Sequence, residues 1–403
     1  MGTWVTVHDV GKQYHQKTKG KGESQMNKCV MIVGLGDLGG WVLEFLVRCE
    51  GVRRIVTADI REEYGYSKTM TAAVGASQQG FDKRLEFHKL DVNDVDRTAE
   101  LLHKVQPDVL YSATTLQSWW VPYLLPDNLA SKAKQAGVGP FTAGHMPLIH
   151  KLMLAVKKSG TKPRVLNNSF PDVINVVLSR NGLGPEIGSG NSDMIMEDIR
   201  RKVSYEFNIP PGEVAVYLYT AHAMCMQATT KDIPFSLKIY VAGEDVTGRY
   251  DAKELVSGFA SLYAPMKMTS WLIHPRVAAS AVKNMMAMIN GTNELTHVPG
   301  PNGLPGGYSV RVGAKGTDIV LPKGLTLEQA IKTNMDALKF DGIEDIKKDG
   351  TIVFTDLTRQ LTKEWLGADV GKNLKLEDAA EMALELKTLT KKVADKYNVR
   401  LEL

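Results

Sequence analysis

No apolar run in this sequence approaches the roughly eighteen residues that a bilayer-crossing helix needs, and the first residues lack a signal-peptide core. The expectation is a soluble protein of the cytoplasm that makes no use of a membrane. Cysteine is scarce. Cys29, Cys49 and Cys225 form no C-x-x-C pair, so reduced, mostly buried thiols are expected rather than a disulfide framework. Charge of one sign is missing too. The 49 Lys and Arg against 45 Asp and Glu leave a formal net charge of +4, with the basic residues scattered, which excludes nucleic acid as the expected partner. No His, Cys, Asp or Glu cluster has metal-ligand spacing, so no metal is expected. Internal repeats and low-complexity segments are also lacking.

What is present is enough chain for two or more cores: 403 residues, 43% hydrophobic and 23% charged. The organising stretch runs from Lys28 to Val47. An apolar run, Cys29 to Val33, reads as a buried parallel strand, and Gly34, Gly36 and Gly39 follow at G-x-G-x-x-G spacing. Gly34 permits a tight turn, Gly36 lets the backbone approach a pyrophosphate, and Gly39 allows close packing of helix on strand. A helix starting near Asp37 and Leu38 would aim its free N–H groups at that anion.

A second strand, Arg54 to Ala58, ends at Asp59, twenty residues after Gly39, where a carboxylate would accept a hydrogen bond from a ribose hydroxyl. Arg61, beyond Ile60, complicates the choice, since it could hold a 2′-phosphate that Asp59 would repel. NAD is expected, with NADP as the alternative. Glu62 to Gln79 reads as a loop and short helix. A third strand, Leu85 to Leu90, ends at Asp91, and Asp91, Val92, Asn93 and Asp94 after it either touch the adenine edge or cap the next helix. The fourth strand empties into Ser112, Ala113, Thr114 and Thr115, where ligands collect in a doubly wound sheet. Trp119 and Trp120 follow, to cover a ligand or to fill an interface. Gly139 to Pro147 reads as a short strand and turn before a helix from Leu148, which puts His145 near the nicotinamide.

From Val214 the pattern turns to extended segments, Val214 to Thr220, Phe235 to Val241 and Ser309 to Val312, with a methionine-rich helix, Val277 to Met288, between the last two. The expected fold class is α/β: a Rossmann-type doubly wound parallel sheet, with a second α+β domain built on a mixed or antiparallel sheet. The expected organisation is a polar leader over 1–27, a dinucleotide-binding domain over 28–160, a substrate and dimerisation domain over 161–375, and a C-terminal helix over 376–403 returning to the first domain. A homo-oligomer, dimer or tetramer, is expected from the second domain's apolar sheet face.

At Ala143-Gly-His-Met-Pro147, taken with the glycine turn and Asp59, the chain resembles the saccharopine-dehydrogenase-like oxidoreductases over roughly residues 28–158. Leu148 stands where that family more often has glycine. The resemblance implies NAD(P)-dependent hydride transfer on an amino-acid-derived substrate, with carbon–nitrogen chemistry. Asp59-Ile-Arg61 and Leu90-Asp-Val92 also look like extended short-chain dehydrogenases, but no Tyr-x-x-x-Lys pair follows the fourth strand.

A nicotinamide enzyme must also move a proton, and histidine titrates near working pH. His145 is the best placed, with His222 and His297 as alternates, each of which could instead be structural. Asp172 and Asn168 either orient a substrate or cap a helix. Tyr308 could relay a proton or pack at an interface, and Arg276 and Arg311 are carboxylate clamps by residue type. The residues point to a dehydrogenase or reductase acting on a small polar substrate. An epimerase or lyase that retains its NAD, and a non-catalytic NAD(H)-sensing protein, are the alternatives.

Overall fold

The computed structural model describes residues 28–263 and 270–401; the expected leader over 1–27 lies outside the described residues. Five consecutive buried residues form β1 (Cys29–Val33), and a strand apolar on both sides belongs inside a parallel sheet covered on both faces. It lies there. β2 (Arg54–Asp59) and β3 (Arg84–Lys89) flank it on one side, and β4 (Val109–Ser112), β5 (Arg164–Asn167) and β6 (Ile187–Gly188) on the other. The order is β3-β2-β1-β4-β5-β6, every pairing parallel. The intervening helices are α1 (Asp37–Leu46), α2 (Glu62–Gln78), α3 (Val95–Val105), α4 (Asp127–Ala136), α5 (Thr142–Ser159) and α6 (Pro171–Arg180). This is the expected doubly wound sheet. Strand order reverses between β1 and β4, which opens a crevice at their carboxyl ends.

Alternate residues of each strand enter opposite cores. Val30, Ile32, Ile55 and Tyr111 pack with α1 and α2, while Met31, Val33, Val56 and Leu110 pack with α3 and α5. Truncating a fully buried side chain such as Ile32 to Ala would cost about 2–5 kcal/mol.

After α7 (Ser192–Phe207) the chain builds antiparallel sheets, as the sequence suggested. β7 (Val214–Tyr219) leads through α8 (Ala223–Gln227) to β8 (Ser236–Val241) and β9 (Glu244–Asp245). Helices α9 (Ala252–Tyr263) and α10 (Ser270–Asn290) precede β10 (Glu294–Pro299), β11 (Gly307–Gly313) and β12 (Gly316–Ile319). α11 (Leu327–Leu338) opens on a capping box between Thr326 and Gln329. It leads to β13 (Ile343–Ile346), β14 (Ile352–Phe354), α12 (Asp356–Leu366), β15 (Asn373–Leu374) and α13 (Ala379–Lys396). α10 packs on α1, α12 on α4 and α13 on α5, so the later chain covers both faces of the first sheet.

Four local expectations change. β5 and β6 extend the parallel sheet past residue 160, so the break expected there falls inside the sheet. Glu62 to Gln79 is not a loop and short helix but the unbroken α2. Its buried stripe is Gly65, Thr69, Ala72 and Ala76, small residues that leave no hydrophobic periodicity to read; a Cβ on Gly65 would fall 2.3 Å from the Phe87 ring. Gly139 to Pro147 is not a strand and turn. A 3-10 turn, Gly139–Phe141, runs into α5 from Thr142, with Pro147 inside the helix. Pro147 cannot donate to Ala143, and the next carbonyl, that of Gly144, accepts instead from Leu116 N (2.9 Å) and Thr115 Oγ1 (3.2 Å). Val277 to Met288 is the middle of the longer α10, which also contains Pro275.

Candidate active site

The three glycines between β1 and α1 are constrained differently. Gly34 has φ +92°, and a Cβ there would lie 3.0 Å from the carbonyl oxygen of Ala113; a Cβ on Gly39 would lie 1.9 Å from that of Gly34. The fold itself demands both. A Cβ on Gly36 would meet no atom within 4 Å, so the space in front of it is open. Gly36 is also the N-cap of α1 and offers no side-chain cap, so the first-turn N–H groups face that space without one. Open room and uncapped amides fit a pyrophosphate.

Asp59, at the end of β2, is 6% exposed. Its Oδ2 accepts from Leu35 N (2.7 Å) and its Oδ1 from Arg61 N (2.9 Å) and Nε (3.1 Å), which ties the glycine turn to the next strand. Ile60 is exposed, and the Arg61 guanidinium sits 4.0 Å from the Tyr64 ring centroid. Asp91 is taken up by Asn93, Val92 is buried, and Asp94 caps α3 through Arg97 N at 3.0 Å.

At the carboxyl ends of β1 and β4 lies an open cavity of about 230 Å³. Gly36, Asp37, Leu38 and Gly39 line it from one side, Ala113, Thr115 and His145 from another, and Asn168, Asn191 and His222 from a third. Trp119 and Trp120 belong to its wall, so both tryptophans face the ligand space. Ser112 and Thr114 are buried behind it, bonded to each other at 3.1 Å. Asp37, in the first turn of α1, is held by His274 Nδ1 at 2.7 Å. Burial lowers the His274 pKa despite that carboxylate.

Besides His274, two imidazoles line the cavity, and their surroundings shift them in opposite directions. His222, just after β7, has its backbone N bonded to Asp172 Oδ1 (3.0 Å) and its Nδ1 to Asp341 Oδ1 (2.8 Å). Burial works against a cation there, but the carboxylates of Asp341 and Asp172 outweigh it and hold the pKa above the ordinary imidazole value. His145 is pushed down to about 4 by burial and by the nearby His222 charge. Its Nδ1 lies 3.0 Å from Thr115 Oγ1. That hydroxyl has one proton, spent on the carbonyls of Gln117 or Gly144, so it accepts from His145 Nδ1–H and leaves Nε2 as an acceptor. Asp172 is fully buried, accepts from Asn191 Nδ2, and is pushed up to about 6 by burial.

The other sequence candidates lie elsewhere. His297 is buried in the β10–β11 ladder opposite Ser309, its Cε1 2.5 Å from where a Gly307 Cβ would stand. Tyr308 is fully buried, edge-on to Tyr219 at 6.0 Å. Both are core residues, because β11 is covered on both faces. Arg276 pairs with Asp198 (2.5 Å), and Arg311 donates to Asn293 O (2.9 Å); neither lines the cavity. Sequence reasoning missed Asp341, His274 and Asn191. Asn191 carried a signal, since the run Gly188-Ser-Gly-Asn191 suits its positive φ of 54°. Asp341 and His274 carried none.

No protein-family model matches the sequence, and no curated protein matches it. Among solved structures the chain is similar to a lactate dehydrogenase from a Medee basin deep-sea metagenome library, with TM-score 0.54 and 14% identity over 78% of this chain and 97% of that one. It is similar to the malate dehydrogenase of Cryptosporidium parvum, with TM-score 0.54 and 15% identity over 78% and 98%. It is similar also to the lactate dehydrogenase of Eimeria maxima solved with NADH and oxamate, with TM-score 0.53 and 13% identity over 78% and 93%. At these identities what is shared is the fold, across nearly the whole of each neighbour. These three are lactate and malate dehydrogenases rather than saccharopine-dehydrogenase-like proteins.

Proposed function

We propose that the chain is an NAD-dependent dehydrogenase or reductase that interconverts a carbonyl and an alcohol, with His222 as the proton carrier. The observation that carries this reading is the His222–Asp341 pair opening on the same cavity as the uncapped glycine turn. Gly34, Gly36, Leu38 and Gly39 would hold the pyrophosphate and Asp59 the adenosine ribose, with Ala113, Thr115 and His145 beside the nicotinamide. When bound, the nicotinamide supplies or accepts the hydride.

The protein supplies the proton and its placement. With Nδ1 donating to Asp341, the cationic His222 presents its remaining N–H at Nε2. A carbonyl oxygen takes that proton as the alcohol forms; in the other direction Nε2 of the neutral ring accepts the hydroxyl proton. Asp341 fixes the ring orientation and stabilises its charged form, as a buried carboxylate does behind a catalytic imidazole. His145 Nε2 accepts a hydrogen bond within the cavity without adding charge.

Lactate, malate and the amino acids carry a carboxylate, and the described lining holds no lysine or arginine to pair with one. The reaction is therefore proposed for the carbon–oxygen couple rather than for the amino-acid carbon–nitrogen bond that the family resemblance implies. The test is steady-state loss of NADH absorbance with a carbonyl panel, for the native chain and His222→Asn. Turnover that fails in the variant while NADH still binds supports the reading. An NAD that stays bound and is never consumed would instead favour an epimerase or a sensor.

A further inference from the structure

We infer that this site takes an uncharged, largely apolar aldehyde or ketone, or the matching alcohol, and rejects oxo and hydroxy acids. The inference rests on the dehydrogenase reading and names its substrate class.

The wall supports it first. Trp119, Trp120, Phe170, Met194, Met226 and Ile273 line the cavity and offer it mostly carbon surface. The charge count points the same way. Asp37 lines the cavity with His274 on it, while Asp172 and Asp341 stand directly behind His222. Two carboxylates thus hold His222, Asp341 at 2.8 Å from its Nδ1 and Asp172 on its backbone N–H, and a third, Asp37, belongs to the lining. His145, held neutral and presenting an acceptor, repels a carboxylate rather than pairing with it. Arg276 is turned to Asp198 and Arg311 to Asn293. Among the described lining residues the other donors are neutral, from Ser118, Trp119, Trp120, Asn168 and Asn191, while the first-turn amides of α1 face the place of the cofactor's pyrophosphate. A carboxylate entering here would shed its water and meet, among the described lining residues, no lysine or arginine and only a His222 ring that Asp341 already holds, and a poorly paired buried charge is costly.

Matched pairs of carbonyl compounds provide the test: 4-phenyl-2-butanone against 2-oxo-4-phenylbutyrate, and 2-pentanone against 2-oxopentanoate, in which methyl replaces carboxylate. With NADH, kcat/KM for each ketone is expected to exceed that of its acid by at least about 100-fold. With NAD, only the neutral alcohols should quench tryptophan emission and raise Tm in the ternary complex. Met194→Arg places a cation in the wall and should raise use of the oxo acids, its retained NAD-induced Tm shift showing that it folds. An oxo acid bound or turned over as well as its ketone overturns the inference while leaving the dehydrogenase reading intact. Absence of any NAD-induced Tm shift would instead sink the dehydrogenase reading itself.

Discussion

His222 and Asp341 stand 119 residues apart in the chain, yet Nδ1 of one lies 2.8 Å from Oδ1 of the other. The turn that carries Asp341 is clamped by close backbone approach. A Cβ on Gly137 would fall 2.4 Å from the Asp341 carbonyl carbon, and one on Gly139 would fall 2.9 Å from its oxygen. The carboxylate's second oxygen, Oδ2, is buried without a hydrogen bond. The carboxylate thus faces the His222 ring and, together with Asp172, favours its charged form.

Replacing Asp341 by Asn removes that carboxylate at nearly constant volume. The raised His222 pKa means that the proton needed for carbonyl reduction is present below it and lost as pH rises through it. In Asp341→Asn the falling limb of reduction should move to lower pH, with kcat down by about 10²–10⁴-fold and NADH affinity kept. The pH profile of kcat in both directions checks this. A merely structural role for Asp341 would lower Tm without moving the limb.

The glycine turn separates ligand space from fold space. Gly36→Val adds carbon where no protein atom stands within 4 Å, so stability should change by no more than about 0.5 kcal/mol, while NADH binding weakens by at least tenfold, about 1.4 kcal/mol. Gly39→Ala drives a methyl to 1.9 Å from the Gly34 oxygen and should cost about 1–3 kcal/mol in stability. Urea unfolding and NADH titration, run on both variants, give opposite patterns if the open space belongs to the cofactor.

The parts legible in the sequence are those whose physics is local. The run Cys29–Val33, the glycines after it and Asp59 at the end of β2 form one strand–turn–helix–strand unit, in which spacing alone dictates geometry. His145 and His222 both reached the cavity, but His297 stands in just as suggestive a context and is buried in a sheet. Nothing near it in sequence reports that β11 is covered on both faces. α2 was hidden because its inward residues are glycine, threonine and alanine. Asp341 was hidden more deeply, because its partner is brought by the docking of a turn on α4, a contact with no trace in periodicity.

Asp172 offers a stability measurement free of catalysis. Burial pushes its folded pKa up to about 6, above the ordinary carboxyl value of 3.8. The folded state therefore holds this proton more tightly than the unfolded chain. Its contribution is fully present below the unfolded pKa and is lost as pH rises through about 6. Asp172→Asn removes that dependence and one of the two hydrogen bonds, to His222 N or Asn191 Nδ2, at about 1–3 kcal/mol. Urea unfolding at mildly acidic and mildly alkaline pH should show the native chain's advantage over the variant shrinking as pH rises.

The choice between the two dinucleotides turns on Asp59 and Arg61. A 2′-phosphate brought to the end of β2 would meet the Asp59 carboxylate. The cation that could offset it is already committed, since Arg61 Nε donates to Asp59 at 3.1 Å and its guanidinium lies 4.0 Å from the Tyr64 ring centroid. NADH should therefore bind more tightly than NADPH by at least tenfold, about 1.4 kcal/mol. Asp59→Asn keeps an oxygen for Leu35 N but drops the charge, which frees Arg61 for a phosphate. The gap should then narrow chiefly through tighter NADPH binding, and adding Arg61→Ala should undo that gain. Titration calorimetry on the native chain and both variants measures it. A native preference for NADPH would mean that the Asp59 charge serves only to tie Leu35 to Arg61, with the sugar specified elsewhere.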